Sequence, residues 1–204
     1  MKKYEITFPL NNKETILLYL QEPLELVDLC YEEYIFLSYN KNKHLLAEGP
    51  IYYNMQQLIK YLKKTINNQL PLHSSITLDI GYLLNEYHIS EDNFIMYNFP
   101  SGISSWIGYK YHVWEAASHN IRLITWIYNK PDGSIIFEVT PFYPYMYCEP
   151  TEEPNYISYN EWIKTYKPYL IRELPTTTAQ EWLKQAEYII QTIEANVEKW
   201  KNIQ

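Results

Sequence analysis

Residues 121–140 read IRLITWIYNKPDGSIIFEVT, and this stretch decides the fold because it predicts two strands joined by a turn. Residues 121–128 and 135–140 are rich in β-branched and aromatic side chains, which are typical of strands. Between them, Pro131 presets φ for a turn, and Gly133 can adopt the left-handed conformation. The sequence therefore predicts a β-hairpin here.

Further strands are predicted around this hairpin. Residues 4–8 alternate between apolar and polar side chains, as half-buried strands do. Residues 40–43 read NKNK and separate two apolar runs, which predicts a second hairpin. Besides the first hairpin, the predicted strands are residues 4–8, 15–20, 34–39, 44–47, 94–99 and 106–114.

Helical spacing of apolar residues recurs in the second quarter of the chain and near its end. The first predicted helix has Asn54 as its N-cap and extends to Ile66. A short helix has Asn160 as its N-cap, and Pro168 lies beyond its end. Residues 76–87 fit a strand at their start and a helical turn at their end, so both interpretations stay open.

The last segment predicts the longest helix. Thr178 and Glu181 have the spacing of a capping box. An apolar stripe follows, which is typical of a helix that packs on a sheet or lines a dimer. Its members are Leu183, Ala186, Ile189, Ile190, Ile193, Val197 and Trp200.

These elements together predict one α+β domain over residues 1–204, with a mainly antiparallel sheet and about three helices, the long C-terminal one packed on the sheet. The chain has 204 residues, which is the usual size of one domain. Its hydrophobic fraction of 47% is that of a globular protein and excludes wholesale disorder.

Charge and composition narrow the classes of function. The net charge of −7 disfavours binding to a phosphate backbone and favours a basic protein partner. No stretch approaches the roughly 18 apolar residues of a membrane helix, and Glu5 and Pro9 interrupt any signal-peptide core. Cys30 and Cys148 form no CxxC pair. We therefore expect a cytoplasmic protein with no metal and no cofactor, whose oligomeric state the sequence does not give.

Catalytic motifs are absent from the sequence. It contains no GxGxxG, Walker loop, GxSxG or HExxH pattern. His112, Glu115 and His119 lie close together in the chain, but a strand would turn positions 112 and 115 to opposite faces. Glu86 and His88 could pair on one strand face. Catalysis is therefore less favoured than binding.

The most distinctive segment is residues 138–161. Its glutamates are Glu138, Glu149, Glu152, Glu153 and Glu161, and it contains no Lys or Arg. Tyrosines alternate with prolines in the same stretch, which gives amphipathic contact area on a stiff backbone. Clustered carboxylates attract a basic partner and accept hydrogen bonds from Lys or Arg. The predicted partner-binding residues are Tyr145, Tyr147, Glu149, Glu152, Glu153 and Tyr156. A solvated loop whose tyrosines cover a sheet edge is the alternative.

The order of these motifs resembles a known group of proteins. Residues 124–128 (ITWIY), the turn 131–133 (PDG), residues 137–144 (FEVTPFYP) and residues 159–163 (YNEWI), followed by a C-terminal helix, resemble small acidic immunity proteins of bacterial polymorphic-toxin and contact-dependent inhibition systems. The likeness covers roughly residues 120–200 and includes no catalytic motif. It implies a cytoplasmic protein that binds a cognate toxin tightly and blocks its active site.

Three hypotheses follow from the sequence. The first is an immunity-type protein that occludes a toxin domain through its acidic, Tyr/Pro-rich surface. The second is an enzyme with a site around His112, Glu115 and His119. The third is a structural subunit that self-associates through its C-terminal helix.

Overall fold

A computed structural model describes residues 4–77, 79–90, 94–118, 121–146 and 156–201. The strands are β1 Tyr4–Pro9, β2 Thr15–Leu20, β3 Glu32–Tyr39, β4 Asn42–Pro50, β5 Met96–Asn98, β6 Ser104–Trp106, β7 His112–Ser118, β8 Ile121–Asn129, β9 Ile135–Phe142 and β10 Leu170–Leu174. The helices are α1 Ile51–Ile66, α2 Ile80–Ile89, α3 Tyr159–Trp162 and α4 Thr176–Lys201. Short 3₁₀ turns lie at Leu24–Leu26, Ile107–Tyr111 and Ile163–Thr165.

The strands form antiparallel sheets, which confirms the α+β prediction. One four-stranded sheet has the order β1-β2-β3-β4, and a second has the order β10-β9-β8-β7. β5 and β6 form a separate two-stranded ribbon. β4 packs beside β7, so the two larger sheets adjoin at these strands.

Both predicted hairpins are present. β8 pairs with β9 so that Trp126 lies opposite Glu138, and Gly133 in their turn has a φ of 89°. The β3–β4 turn is tighter, since Asn40 and Lys41 both have positive φ, at 48° and 65°. Two consecutive residues in the left-handed conformation match the right-handed twist of the flanking strands. Asn40 and Lys41 alone can therefore form the turn between β3 and β4.

Helix α4 packs on both sheets, and one of its side chains, Trp182, contacts each of them. The Trp182 ring meets Phe8 of β1 at 5.8 Å and Phe137 of β9 at 5.7 Å between ring centroids, both edge to face. Its indole N–H donates to the Pro9 carbonyl at 3.0 Å. Helix α1 packs beside α4 and over β4, β7 and β8. The predicted packing of the C-terminal helix on the sheet is therefore confirmed.

The central strands β8 and β9 of the second sheet are buried on both faces, because α2 covers the side opposite α4. A Cβ atom on Gly81 would lie 2.3 Å from the Thr140 side chain of β9, so only glycine permits this approach. The Asn85 side chain donates to the Pro141 carbonyl at 3.2 Å and accepts from the Tyr143 N–H at 2.8 Å. These contacts fix α2 on β9.

The predicted starts of the helices were wrong by a few residues. Helix α1 begins at Ile51 directly after β4, with Pro50 at the N-cap, and Asn54 is a buried residue inside the helix. Ser158, rather than Asn160, caps α3 and forms a capping box with Glu161. Helix α4 already begins at Thr176.

The structure also corrects one predicted strand, decides the segment that the sequence left open, and adds one strand. Most of residues 106–114 form the 3₁₀ turn Ile107–Tyr111 between the end of β6 and the start of β7, and the Trp106 ring packs directly on Gly108 of this turn. Residues 80–89 are helical, and Asp79 caps this helix by accepting from the Tyr82 N–H at 2.8 Å. The β10 strand was not predicted.

The placement of α2 separates the predicted pair of Glu86 and His88, which does not form. Glu86 accepts a hydrogen bond from the Tyr159 hydroxyl at 2.7 Å. His88 Nε2 instead lies 2.7 Å from the Tyr109 hydroxyl. Among the residues described here, no helix combines the length and apolarity needed to cross a bilayer.

Replacing Trp182 with alanine should destabilise the protein by about 3–5 kcal/mol, because a large buried side chain leaves a cavity between the helix and both sheets. Trp200→Ala is the matched control, since that ring is 37% exposed on the same helix. We expect the control to lose less than about 1 kcal/mol. Urea unfolding followed by circular dichroism measures both, and equal losses would show that α4 does not clamp the sheets at Trp182.

Candidate functional site

The predicted partner-binding segment is only partly within the described residues. Tyr145 and Tyr156 are described, whereas Tyr147, Glu149, Glu152 and Glu153 lie outside the described residues. The rings of Tyr145 and Tyr156 are half-buried and contact each other, with centroids 5.2 Å apart. Residues 147–155 lie between these two tyrosines in the chain, and we call them the acidic segment. The ring contact therefore joins the chain before this segment to the chain after it.

Tyr143 anchors this contact to the core. It is buried, and its ring lies within 5.7 Å of the rings of Tyr145, Tyr159 and Trp162, measured between centroids. Its hydroxyl donates to the Ile157 carbonyl at 2.8 Å. We call the group Tyr143, Tyr145, Tyr156, Tyr159 and Trp162 the tyrosine base. It joins the chain before the acidic segment to the chain after it.

Glu138 does not belong to an exposed acidic surface, contrary to the prediction for residues 138–161. The side chain is 1% exposed, in the middle of β9. Successive strand residues face opposite sides, so Phe137 meets α4 and Glu138 points beneath α2. The Tyr128 hydroxyl donates to Glu138 Oε2 at 2.7 Å.

Glu138 forms a buried carboxyl pair with Asp79, the residue that caps α2. Burial, and next the negative charge of Asp79, raise the pKa of Glu138 from 4.5 to about 8. Its Oε1 atom is buried and accepts no hydrogen bond from the described residues. A proton on Glu138 removes the charge that would otherwise be buried at this oxygen, which has no hydrogen-bond partner among the described residues. At neutral pH Glu138 therefore keeps its proton.

Asp79 in turn holds a segment that follows α3. The Tyr166 hydroxyl donates to Asp79 Oδ1 in a short hydrogen bond. Burial and the charge of Asp79 both raise the pKa of Tyr166, so its hydroxyl keeps the proton that it donates. The protonation state of Glu138 thus supports the position of Tyr166.

Tyr166 lines a groove of about 430 Å³ beside the end of β9. Pro141 and Phe142 form one wall, and the segment from Trp162 to Tyr169 forms another. The two cations of the lining are Arg122 and Lys167, and no carboxylate of the described chain lines it. We call this feature the aromatic groove.

Arg122 is held in place from two sides. Its guanidinium pairs with Glu115, with Nε at 2.5 Å from Oε1. The guanidinium carbon also lies 4.6 Å from the centre of the Phe142 ring. Stacking on an aromatic face and a fork-like pairing with a carboxylate both fix this planar group.

The alternative site around His112, Glu115 and His119 is only partly assembled. A β-bulge between His112 and Trp114 turns His112 and Glu115 to the same side, which corrects the prediction of opposite faces. Nε2 of His112 lies 3.9 Å from Glu115 Oε2. Burial lowers the pKa of His112, so the imidazole is neutral at pH 7. His119 lies outside the described residues.

This arrangement suits packing better than acid–base chemistry. Glu115 is already engaged by Arg122, and neither His112 nor Glu115 lines the aromatic groove. Nor do the described residues bring together a group of three or more His, Cys, Asp or Glu side chains that could hold a metal ion.

Sequence reasoning missed the residues that shape the groove and the carboxyl pair. Asp79 lies within the ambiguous segment of residues 76–87, and Arg122 and Lys167 have no motif around them. A usable signal was Glu138, a carboxylate within an otherwise apolar strand, because such a residue must find buried partners. Comparison of the chain with family models, characterised proteins and solved structures found no match.

Glu138→Gln should remove a large part of the pH dependence of stability. With a folded pKa of about 8, the stabilisation from the Glu138 proton is complete below its ordinary pKa of 4.5 and is lost as pH rises through 8. The wild type should lose up to about 1.4 kcal/mol per pH unit over this interval relative to the variant.

Urea unfolding at several pH values between about 5 and 9 measures the difference. Glu25→Gln, at an exposed glutamate, is the control and should follow the wild type. A constant difference between wild type and Glu138→Gln at all pH values would mean that Glu138 holds no buried proton.

Proposed function

We propose that this chain is a cytoplasmic immunity-type binding protein, which neutralises a cognate toxin domain by covering it with the acidic, Tyr/Pro-rich segment. The ring contact between Tyr145 and Tyr156 carries the proposal, because it closes the segment at its base. The order of motifs along residues 120–200 supplies the resemblance to immunity proteins.

Closure of the segment lowers the entropic cost of binding. Residues 147–155 connect two points that the tyrosine base holds together, and they contain Pro150 and Pro154. A loop with fixed ends and stiff residues has fewer conformations to lose when a partner orders it. The tyrosine base therefore favours a binding role over that of a mere connection between β9 and α3.

Charge favours a basic partner. Residues 147–155 contain Glu149, Glu152 and Glu153 and no Lys or Arg. Because Glu138 is buried and protonated at neutral pH, it adds no charge to the surface. We assign the attraction to the three glutamates of this segment, and such steering acts mainly on the association rate.

The third hypothesis from the sequence loses its main surface in this fold. Ala186, Ile189 and Ile193 of α4 are buried within the protein itself. An interface on this face would require α4 to leave the sheets and Trp182 to lose both ring contacts. The apolar stripe of α4 thus supports the core rather than self-association.

Reversing the acidic segment tests the proposal. The protein is co-expressed and co-purified with the product of its neighbouring gene, and cell survival reports neutralisation. The triple variant Glu149→Lys, Glu152→Lys and Glu153→Lys should associate at least about tenfold more slowly at low salt, with a weaker salt dependence.

A matched control changes the net charge by the same amount elsewhere. Glu25, Glu32 and Glu48 are exposed, and the triple reversal of these residues to Lys should alter association much less. Equal slowing by both triple variants would place the effect in the total charge rather than in the segment. Absence of both complex and rescue would reject the immunity function.

A further inference from the structure

The aromatic groove has the dimensions of a small-molecule site. Its volume of about 430 Å³ falls within the range of about 300–1,000 Å³ that is usual for such sites. It is formed by β8, the end of β9 and the segment after α3, and neither Tyr145 nor Tyr156, the two predicted partner-binding residues that the structure describes, lines it. It therefore calls for a separate occupant.

The walls of the groove are held in place without a ligand. Tyr166 is bound by Asp79, and the Tyr169 hydroxyl forms a hydrogen bond with His44 Nδ1 at 2.9 Å. The backbone N–H of Tyr169 also donates to the Val139 carbonyl at 2.8 Å. A preformed site loses little conformational entropy on binding, so even a small ligand can bind measurably.

The walls favour a flat, apolar body. Trp162 and Tyr166 lie edge to face with ring centroids 5.7 Å apart, and Phe142 lies beneath Arg122 across the groove. Aromatic side chains prefer stacked or edge-to-face contacts with other rings. A planar ring can satisfy such contacts with more than one wall at once.

The charge of the groove is opposite to that of the protein. The chain has a net charge of −7, yet the groove has Arg122 and Lys167 in its lining and no carboxylate among the described residues. Glu115 neutralises much of the Arg122 charge, whereas no carboxylate of the described chain lies within ion-pair distance of Lys167. One exposed ammonium matches a singly charged anion better than a doubly charged one.

Asp79 does not cancel this charge. It lines a smaller neighbouring cavity that Tyr166 and Lys167 also line, but its carboxylate accepts from the Tyr82 N–H and the Tyr166 hydroxyl. These two donors stabilise the negative charge of Asp79, which does not line the aromatic groove itself. Lys167 is thus the side chain best placed to meet an anion that enters the aromatic groove.

We propose that the aromatic groove binds a small aromatic carboxylate, whose ring lies among Phe142, Trp162 and Tyr166 and whose carboxylate meets the Lys167 ammonium. We assign this site from residues outside the acidic segment and without a protein partner. It adds a ligand-binding activity to the proposed function.

Matched acids and amides test both parts of this proposal. The probes are benzoate, 4-hydroxyphenylacetate and indole-3-acetate, each with its amide, titrated into the full chain by isothermal calorimetry or by nuclear magnetic resonance. At least one acid should bind with a Kd below about 1 mM and about fivefold more tightly than its amide. The proposal fails if no acid saturates the protein, or if acid and amide bind equally.

Paired variants place the site. Lys167→Met should reduce the preference for the acid to about onefold, whereas Lys164→Met, on the same segment but outside the groove, should leave it unchanged. Ile121→Glu puts a negative charge on the groove wall and should weaken binding of the acid by at least about tenfold. Ile171→Glu, at a similarly exposed isoleucine outside the lining, is its control. Binding that none of these changes affects lies elsewhere and overturns the proposal.

Discussion

The burial of β9 on both faces is the constraint on which the rest of this structure depends. Phe137 packs beneath α4, and Glu138, the next residue, packs beneath α2. A carboxylate in such a place costs on the order of several kcal/mol if it stays charged and unpaired. Glu138 therefore keeps a proton and accepts from Tyr128, while the negative charge of the pair resides on Asp79, which is only partly buried.

The carboxyl pair links the core to the surface. Asp79 caps α2, and it also receives the Tyr166 hydroxyl, so one charge serves the helix start and the groove wall. Loss of the Glu138 proton would place two negative charges side by side and weaken both attachments. The groove keeps its shape because the pair carries a single charge.

Sequence reasoning succeeded where local patterns and the fold agree. The turn at residues 130–134 and the alternating strands around it are local features, so both hairpins were predicted, as was the packing of α4 on the sheet. Sequence reasoning failed where the local structure depends on a residue that is distant in the chain. Gly81 lets α2 approach the Thr140 side chain of β9. The β-bulge at His112 puts His112 and Glu115 on the same side of the strand, whereas regular alternation predicts opposite sides. Lys167 and Arg122 are distant in the sequence and line the same groove only in the folded chain. No spacing in the sequence could therefore reveal the groove.

The tyrosine base and the aromatic groove share the side chain of Trp162 in α3. Trp162 contacts Tyr143 of the tyrosine base on one side and Tyr166 of the groove on the other. Coupling between two sites requires an element that has two arrangements. Tyr143 is buried and bonded to Ile157 and Asn85, and Tyr166 is bonded to Asp79, so both neighbours of Trp162 are already fixed. Among the described residues, Trp162 therefore has fixed neighbours on both sides and offers no second arrangement that would couple the groove to the tyrosine base.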